Sequence, residues 1–190
     1  MRALVVYESM YGNTRAIATA VADGLRGSYE ADVVAAGRAT RALVEGADLL
    51  VVGGPTHIHG MSRPSSRKAA AQASAKPGGP ALDPDAGGMG LRTWLDELPA
   101  VRDGSGAAAF DTRLTGPAAF TGRAGAGISR RLRRLGYRQT ASPESFLVDK
   151  QNHLLPGELQ RAAQWGSRLA ASTPPASAGA AGERGGARQR

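Results

Sequence analysis

An unbroken apolar run, Ala3-Leu4-Val5-Val6-Tyr7, passes directly into the turn-rich stretch Glu8-Ser9-Met10-Tyr11-Gly12-Asn13-Thr14. A strand apolar at every position has no face to give to water, so it belongs inside a sheet covered on both sides. Beyond the turn, Ile17, Ala20, Val21, Gly24 and Leu25 recur at helical spacing. They predict an amphipathic helix over 13–26, with Asn13 or Thr14 near its cap. The stretch from Ala47 to Gly53 is a second apolar strand, which Gly54-Pro55 is expected to end. Weaker strands are expected over 32–36, 106–110 and 146–148, and helices from Pro64 to about Ala75 and over 91–98, 124–135 and 157–169. Strands alternating with helices predict an α/β domain, a doubly wound parallel sheet of five strands with helices on both faces. Ligands of such sheets bind beyond the carboxyl ends of the strands. Three segments therefore carry the search for function: 8–14, 54–62 and 111–122.

The 190 residues suit one domain of ordinary size, which needs no disulfide or metal to hold a core. The domain is read as 1–171. Residues 76–90 are Gly/Pro/Asp-rich without apolar periodicity and are expected to form a mobile linker. The Ser/Pro/Ala/Gly-rich tail 172–190 is expected to be disordered. No apolar run approaches the roughly 20 residues that a membrane helix needs, and the apolar start is too short for a signal peptide. No membrane association and a cytoplasmic location are expected. The absence of cysteine excludes thiolate metal sites and cysteine nucleophiles.

The net charge of +8 is unevenly placed. Residues 1–122 carry 12 basic and 12 acidic side chains, and residues 139–171 carry 3 of each. The excess lies on Arg123, Arg130, Arg131, Arg133, Arg134 and Arg138, with a further +2 in the tail. A nucleic-acid binder spreads its charge over a face. Here a neutral domain carries one basic helix, read as a solvated face with docking of an acidic partner as the other use. No nucleic-acid partner is expected.

Ser9-Met10-Tyr11-Gly12-Asn13-Thr14 sits between a buried strand and a helix start, so its backbone N–H groups and the helix dipole favour an anion. Ser9 and Thr14 add hydroxyl donors. The Gly-Lys-Ser/Thr of a P-loop is absent, as is the dinucleotide glycine fingerprint. The loop suits a terminal phosphate monoester. It resembles the flavin mononucleotide (FMN) phosphate loop of the flavodoxin-like family, whose pattern is Ser/Thr-x-Thr-Gly-x-Thr, and is similar above all to flavodoxin-fold quinone reductases. Tyr11 stands where flavodoxins place a threonine. Pro55-Thr56-His57-Ile58-His59-Gly60 resembles the family's flavin-edge loop, and Asp111-Thr112-Arg113 falls where its other edge loop belongs. No aromatic residue lies between Asp111 and Pro117. The resemblance covers 1–170, most strongly 3–62.

Other users of this architecture fit less well. A phospho-receiver needs an aspartate after the third strand, which here ends Val52-Gly53-Gly54. His57 and His59 lack a nearby carboxylate in sequence and make a poor metal pair, so no metal is expected. Gly122-Arg123-Ala124-Gly125-Ala126-Gly127 mimics a phosphate loop only in its glycines. His153 is read as incidental. Trp94 and Trp165 fall at inward helical positions and are read as core. No nucleophile or acid/base dyad is evident, and a flavin protein needs none, since the cofactor carries the redox chemistry.

The resemblance implies FMN as cofactor and electron transfer through it, with a redox protein partner or a small acceptor such as a quinone. An FMN-dependent NAD(P)H:quinone-type oxidoreductase is one alternative. A flavodoxin-fold interaction module that has lost FMN is another. A homodimer stays open. Arg113 near the flavin edge and the lack of aromatic shields predict a more open, less strongly reducing flavin than in an acidic carrier.

Overall fold

The computed structural model describes residues 1–57, 60–101 and 105–172. In chain order the elements are β1 (Arg2–Tyr7), α1 (Asn13–Leu25), β2 (Glu30–Ala35), a 3-10 turn (Ala36–Arg38), α2 (Arg41–Glu45), β3 (Leu49–His57) and β4 (Gly60–Met61). There follow α3 (Pro64–Ser74), α4 (Leu91–Glu97), β5 (Gly106–Leu114), α5 (Ala118–Thr121), α6 (Ala124–Arg134), β6 (Arg138–Gln139), β7 (Glu144–Val148) and α7 (Glu158–Ser172). The sheet runs β2-β1-β3-β5-β6, with β7 also on β5 and the short β4 on β3. All pairings are parallel except the β3–β4 hairpin.

Five strand positions are present, as expected, but the fifth is split. Ala107 is opposite Gln139, whereas Phe110 is opposite Glu144. Residues 140–143 therefore face only 108–109, a bulge that ends β6 and restarts the ladder at β7. Pro143, which has no N–H to give, sits inside it. The third strand also differs from expectation, because Gly54-Pro55 does not end it. Beyond Gly53 the neighbour β1 has ended, while Gly54 and Pro55 go on pairing with Asp111 and Thr112 of β5. Pro55 thus sits at an edge, where its missing donor leaves no ladder bond unmade. For the same reason β5 runs on to Leu114, supported by β7.

Successive side chains of the central strands point to opposite faces, and each face is covered. Val5, Val51, Ala108 and Phe110 pack under α1 and α7, with Phe146 and Trp165. Leu4, Val6, Leu50, Val52 and Ala109 pack under α4 and α6, with Trp94, Ile128 and Leu132. Both tryptophans are core, as expected, and the Trp94 indole N–H donates to the Ala39 carbonyl at 2.9 Å. Phe110, Phe146 and Trp165 meet edge to face with centroids 6.1–6.2 Å apart, the favourable arrangement of ring quadrupoles. Gly53 makes room for this cluster: a Cβ there would lie 2.0 Å from Phe110 Cζ. On α6 the apolar residues are inward and Arg130, Arg133 and Arg134 are exposed, while Arg131 pairs with Asp96.

The stretch 76–90 contains no strand or helix, yet it is tied to the end of β1. Asp83 N–H donates to the Met10 carbonyl at 2.8 Å, and Asp83 and Ala86 are buried. Ser172, the first residue of the expected tail, is the last residue of α7; residues 173–190 lie outside the described residues.

Helices α1 and α7 touch backbone to backbone. A Cβ at Gly166 would lie 2.2 Å from the Val21 carbonyl oxygen, and one at Gly24 would lie 1.9 Å from the Ala163 oxygen. Gly166→Ala is therefore expected to lower stability by about 3 kcal/mol in a denaturant titration, because backbone cannot move aside as a side chain can. Gly27→Ala, where a Cβ meets nothing within 4 Å, is expected to leave the midpoint almost unchanged.

Candidate functional site

The carboxyl ends of β1, β3, β5 and β7 enclose a cavity of about 370 Å³. Its first wall is the loop after β1. Gly12 takes φ +90°, a left-handed conformation that suits glycine, and starts α1. The first helical bond runs from Ala16 N–H to the Gly12 carbonyl at 2.9 Å. The amides of Asn13, Thr14 and Arg15 thus have no acceptor within the helix. Ser9 Oγ accepts from Gly12 N–H at 3.0 Å, which leaves its own proton to donate. The Thr14 and Thr112 hydroxyls lie 2.7 Å apart, both buried. If Thr112 donates, Thr14 keeps a proton for a ligand. The helix dipole adds to these donors, so this end of the cavity is built for an anion.

Of the residues singled out from sequence, Ser9, Met10, Tyr11, Asn13 and Thr14 line the cavity. So do Pro55, Thr56 and His57 on β3, and Thr112 and Arg113 on β5. Ile58 and His59 lie outside the described residues. Gly12 shapes the loop from behind, with Asp83 Oδ2 3.9 Å from where its Cβ would be. Gly60 belongs to β4 and is not among the lining residues. Asp111 is turned away from the cavity: it is buried and its Oδ2 accepts from Gly125 N–H at 2.7 Å, at the start of α6. The Tyr11 hydroxyl donates to the Ala70 carbonyl of α3 at 3.0 Å. One Arg113 amino group donates to the Leu114 and Gly116 carbonyls and to Thr121 Oγ1, at 2.8–3.2 Å. That side chain pins its own loop.

Leu114, Val148, Lys150 and Asn152 also line the cavity and escaped the sequence reading. The signal was there: Asp149-Lys150-Gln151-Asn152-His153 is a polar cluster directly after an apolar strand. Asn13 Nδ2 donates to the Asn152 carbonyl at 2.6 Å and joins this turn to the β1 loop.

Two buried carboxylates outside the cavity lining tie the neighbouring segments together. Glu8 Oε2 accepts from Ser62 Oγ and from Leu91 N–H, both at 2.7 Å, which fixes the end of the hairpin and the start of α4. Arg67 Nε lies 3.7 Å from Glu8 Oε1. Asp83 is paired with Arg15 at 2.9 Å. Burial and the hydrogen bond to Asp85 push the Tyr7 hydroxyl up to about 12. Burial lowers the His57 imidazole below its usual range, with the Arg67 charge acting the same way and Glu8 opposing, so His57 is neutral at pH 7.

The start of α6 is closed to ligands. Ala124 N–H donates to Thr56 Oγ1 at 2.9 Å, and Gly125 N–H is held by Asp111. The glycine-rich 122–127 stretch therefore serves packing: a Cβ at Gly125 would lie 3.2 Å from Asp111 Oδ2. Among the described residues, no three His, Asp or Glu side chains gather as a metal site, and no helix is long and apolar enough to cross a membrane.

A parallel sheet in this order, with a loop after β1 that leads into a helix start, is the flavodoxin-like α/β fold. The flavodoxin family model matches residues 5–83. An archaeal flavodoxin structure is 21% identical with a TM-score of 0.61, the match covering 90% of this chain and 97% of that one. Flavodoxin 1 of Bacillus cereus is 16% identical with a TM-score of 0.60, covering 92% and 100%. A WrbA-like flavodoxin-fold protein of Agrobacterium tumefaciens is 21% identical with a TM-score of 0.53, covering 90% and 95%. No curated protein matches the sequence. The chain is similar to flavodoxins in sequence over residues 5–83 and in fold over about nine-tenths of its length.

Burial raises the Asp111 carboxyl above its usual range, against the Gly125 hydrogen bond that lowers it. Its charged form is thus disfavoured in the fold, and a group with a raised folded pKa stabilises only below that pKa. Asp111→Asn keeps the acceptor for Gly125. It is expected to raise the melting temperature at pH 7, with the gain shrinking as pH falls and Asp111 takes up its proton. A variant that melts lower at pH 7 would show that the ionised carboxylate is required.

Proposed function

We propose that the chain binds FMN in this cavity and transfers electrons through it. The observation that carries this reading is the amide set at the start of α1, unpaired among the described residues and placed beside the Ser9 and Thr14 hydroxyls at the mouth of a sheet crevice. Those donors fit a phosphate monoester. The walls from β3 and β5, Pro55–His57 and Thr112–Leu114, fit the flat ring that would lie between them. Bound FMN supplies the redox chemistry, taking up and releasing electrons. The family match over the β1 loop and β3 supports the same cofactor.

The chain's own residues bind and orient. The first-turn amides and hydroxyls hold the phosphate. Thr56, taken up by Ala124 N–H, holds the β3 wall against α6. At the cavity wall, burial favours the neutral form of the His57 imidazole. The earlier expectation that Arg113 presents a charge to the flavin edge weakens, because its guanidinium is directed at its own loop.

A second reading, an FMN-dependent oxidoreductase with a small acceptor such as a quinone, is favoured by one feature. The only aromatic ring of a Phe, Tyr or Trp among the described lining residues is Tyr11, and its hydroxyl is directed to α3. An uncapped ring edge is open to a small acceptor as well as to a redox protein partner.

The test is a calorimetric titration of FMN into the protein and into Thr14→Ala. Loss of a hydrogen bond to a charged group is worth about 1.5–3 kcal/mol, so the variant is expected to bind FMN roughly 10- to 150-fold more weakly. Wild-type protein that binds no FMN would instead support an interaction module that has lost the cofactor. Turnover of a quinone with NAD(P)H, against reduction of a protein acceptor, separates the two redox readings.

A further inference from the structure

A phosphate monoester carries a charge of about −1.5 to −2 at neutral pH. The loop 8–14 brings no cation to meet it and contains a carboxylate, Glu8. The nearest arginine in sequence, Arg15, is paired with buried Asp83. Among the described lining residues the cations are Arg113 and Lys150, and Arg113 is engaged by Leu114, Gly116 and Thr121. Lys150 differs: no hydrogen bond or ion pair holds its ammonium among the described residues.

Its backbone is nevertheless fixed. Asp149 Oδ1 accepts from the amides of Gln151 at 2.9 Å and His153 at 2.8 Å, and Asn152 takes φ +63°. The turn closes with Asp149 N–H to the His153 carbonyl at 2.9 Å. Asn13, the first residue of α1, then clamps the turn through the Asn152 carbonyl. Lys150 therefore lines the cavity from a turn that is bound to the first residue of the anion-accepting helix.

We propose that Lys150 is the cation that neutralises the ligand's phosphate, and so makes this cavity select a phosphorylated flavin over an unphosphorylated one. The proposal rests on the FMN reading and adds to it a specificity residue outside the β1 loop. Lysine acts here as a point charge on a flexible stem, so its contribution is electrostatic and screened by salt.

The experiment measures dissociation constants of FMN and riboflavin for wild type, Lys150→Gln and Lys150→Arg, at about 20 mM and about 500 mM KCl, a range over which the screening length shortens several-fold. At low salt Lys150→Gln is expected to bind FMN roughly tenfold more weakly, a size typical of a charge-assisted contact. Riboflavin binding is expected to be unchanged, and Lys150→Arg to retain the FMN affinity. Salt is expected to weaken FMN binding to wild type more than to Lys150→Gln. Lys150→Gln that binds FMN as wild type does, or that loses FMN and riboflavin equally, overturns the role of Lys150 and leaves the FMN reading standing. Wild type that binds neither flavin overturns both.

Discussion

The parting of β1 from β3 is the constraint on which the rest of the molecule depends. The two strands are paired side by side as far as Tyr7 and Gly53, and one more bond joins them, Glu8 N–H to the Gly53 carbonyl at 3.0 Å. From there the chain after β1 enters α1 on one face of the sheet, while β3 continues along β5 and turns into the β4 hairpin. A sheet ordered β2-β1-β3-β5 reverses its winding at this point, so a crevice must open at the carboxyl ends. The anion-accepting turn, the proline edge and the hairpin are consequences of that geometry.

Two of the helices that begin at this end of the sheet, α1 and α6, follow turns that contain glycine, and the structure treats them oppositely. At α6 the first amides are met by Thr56 and by the buried Asp111, so the helix start is satisfied by protein. At α1 the Ser9 side chain meets the Gly12 amide, and among the described residues the amides of Asn13, Thr14 and Arg15 have no partner. A helix start becomes a binding site by what its neighbours leave unmet. Carboxylates near α1 are kept from meeting those amides by other partners: Glu8 holds Ser62 and Leu91, and Asp83 holds Arg15.

Much of this was legible in the sequence, for definite physical reasons. Continuous apolar strands and helical periodicity placed the alternation of elements, and the Ser9–Thr14 turn declared itself by position and residue type. Other features depend on distant partners. Pro55 reads as a stop until β1 is seen to end beside Gly53, which frees that edge. Gly53 reads as the last residue of an apolar strand, and only its distant neighbour shows that it makes room for the Phe110 ring. Asp111 reads as a ligand to the cavity, but alternation along β5 turns it to α6 and leaves Thr112 inward. The strand before the 149–153 turn is legible in the sequence, but the turn's place at the crevice depends on a distant partner, Asn13, which donates to the Asn152 carbonyl.

The central claim is that the turn between β1 and α1 holds the phosphate of a bound FMN. Amide chemical shifts of ¹⁵N-labelled protein during an FMN titration test it most directly. The account predicts the largest shifts at residues 9–15, with further changes at 56–57 and 112–114. Shifts confined to other parts of the sheet, with residues 9–15 unmoved at saturating FMN, would contradict it.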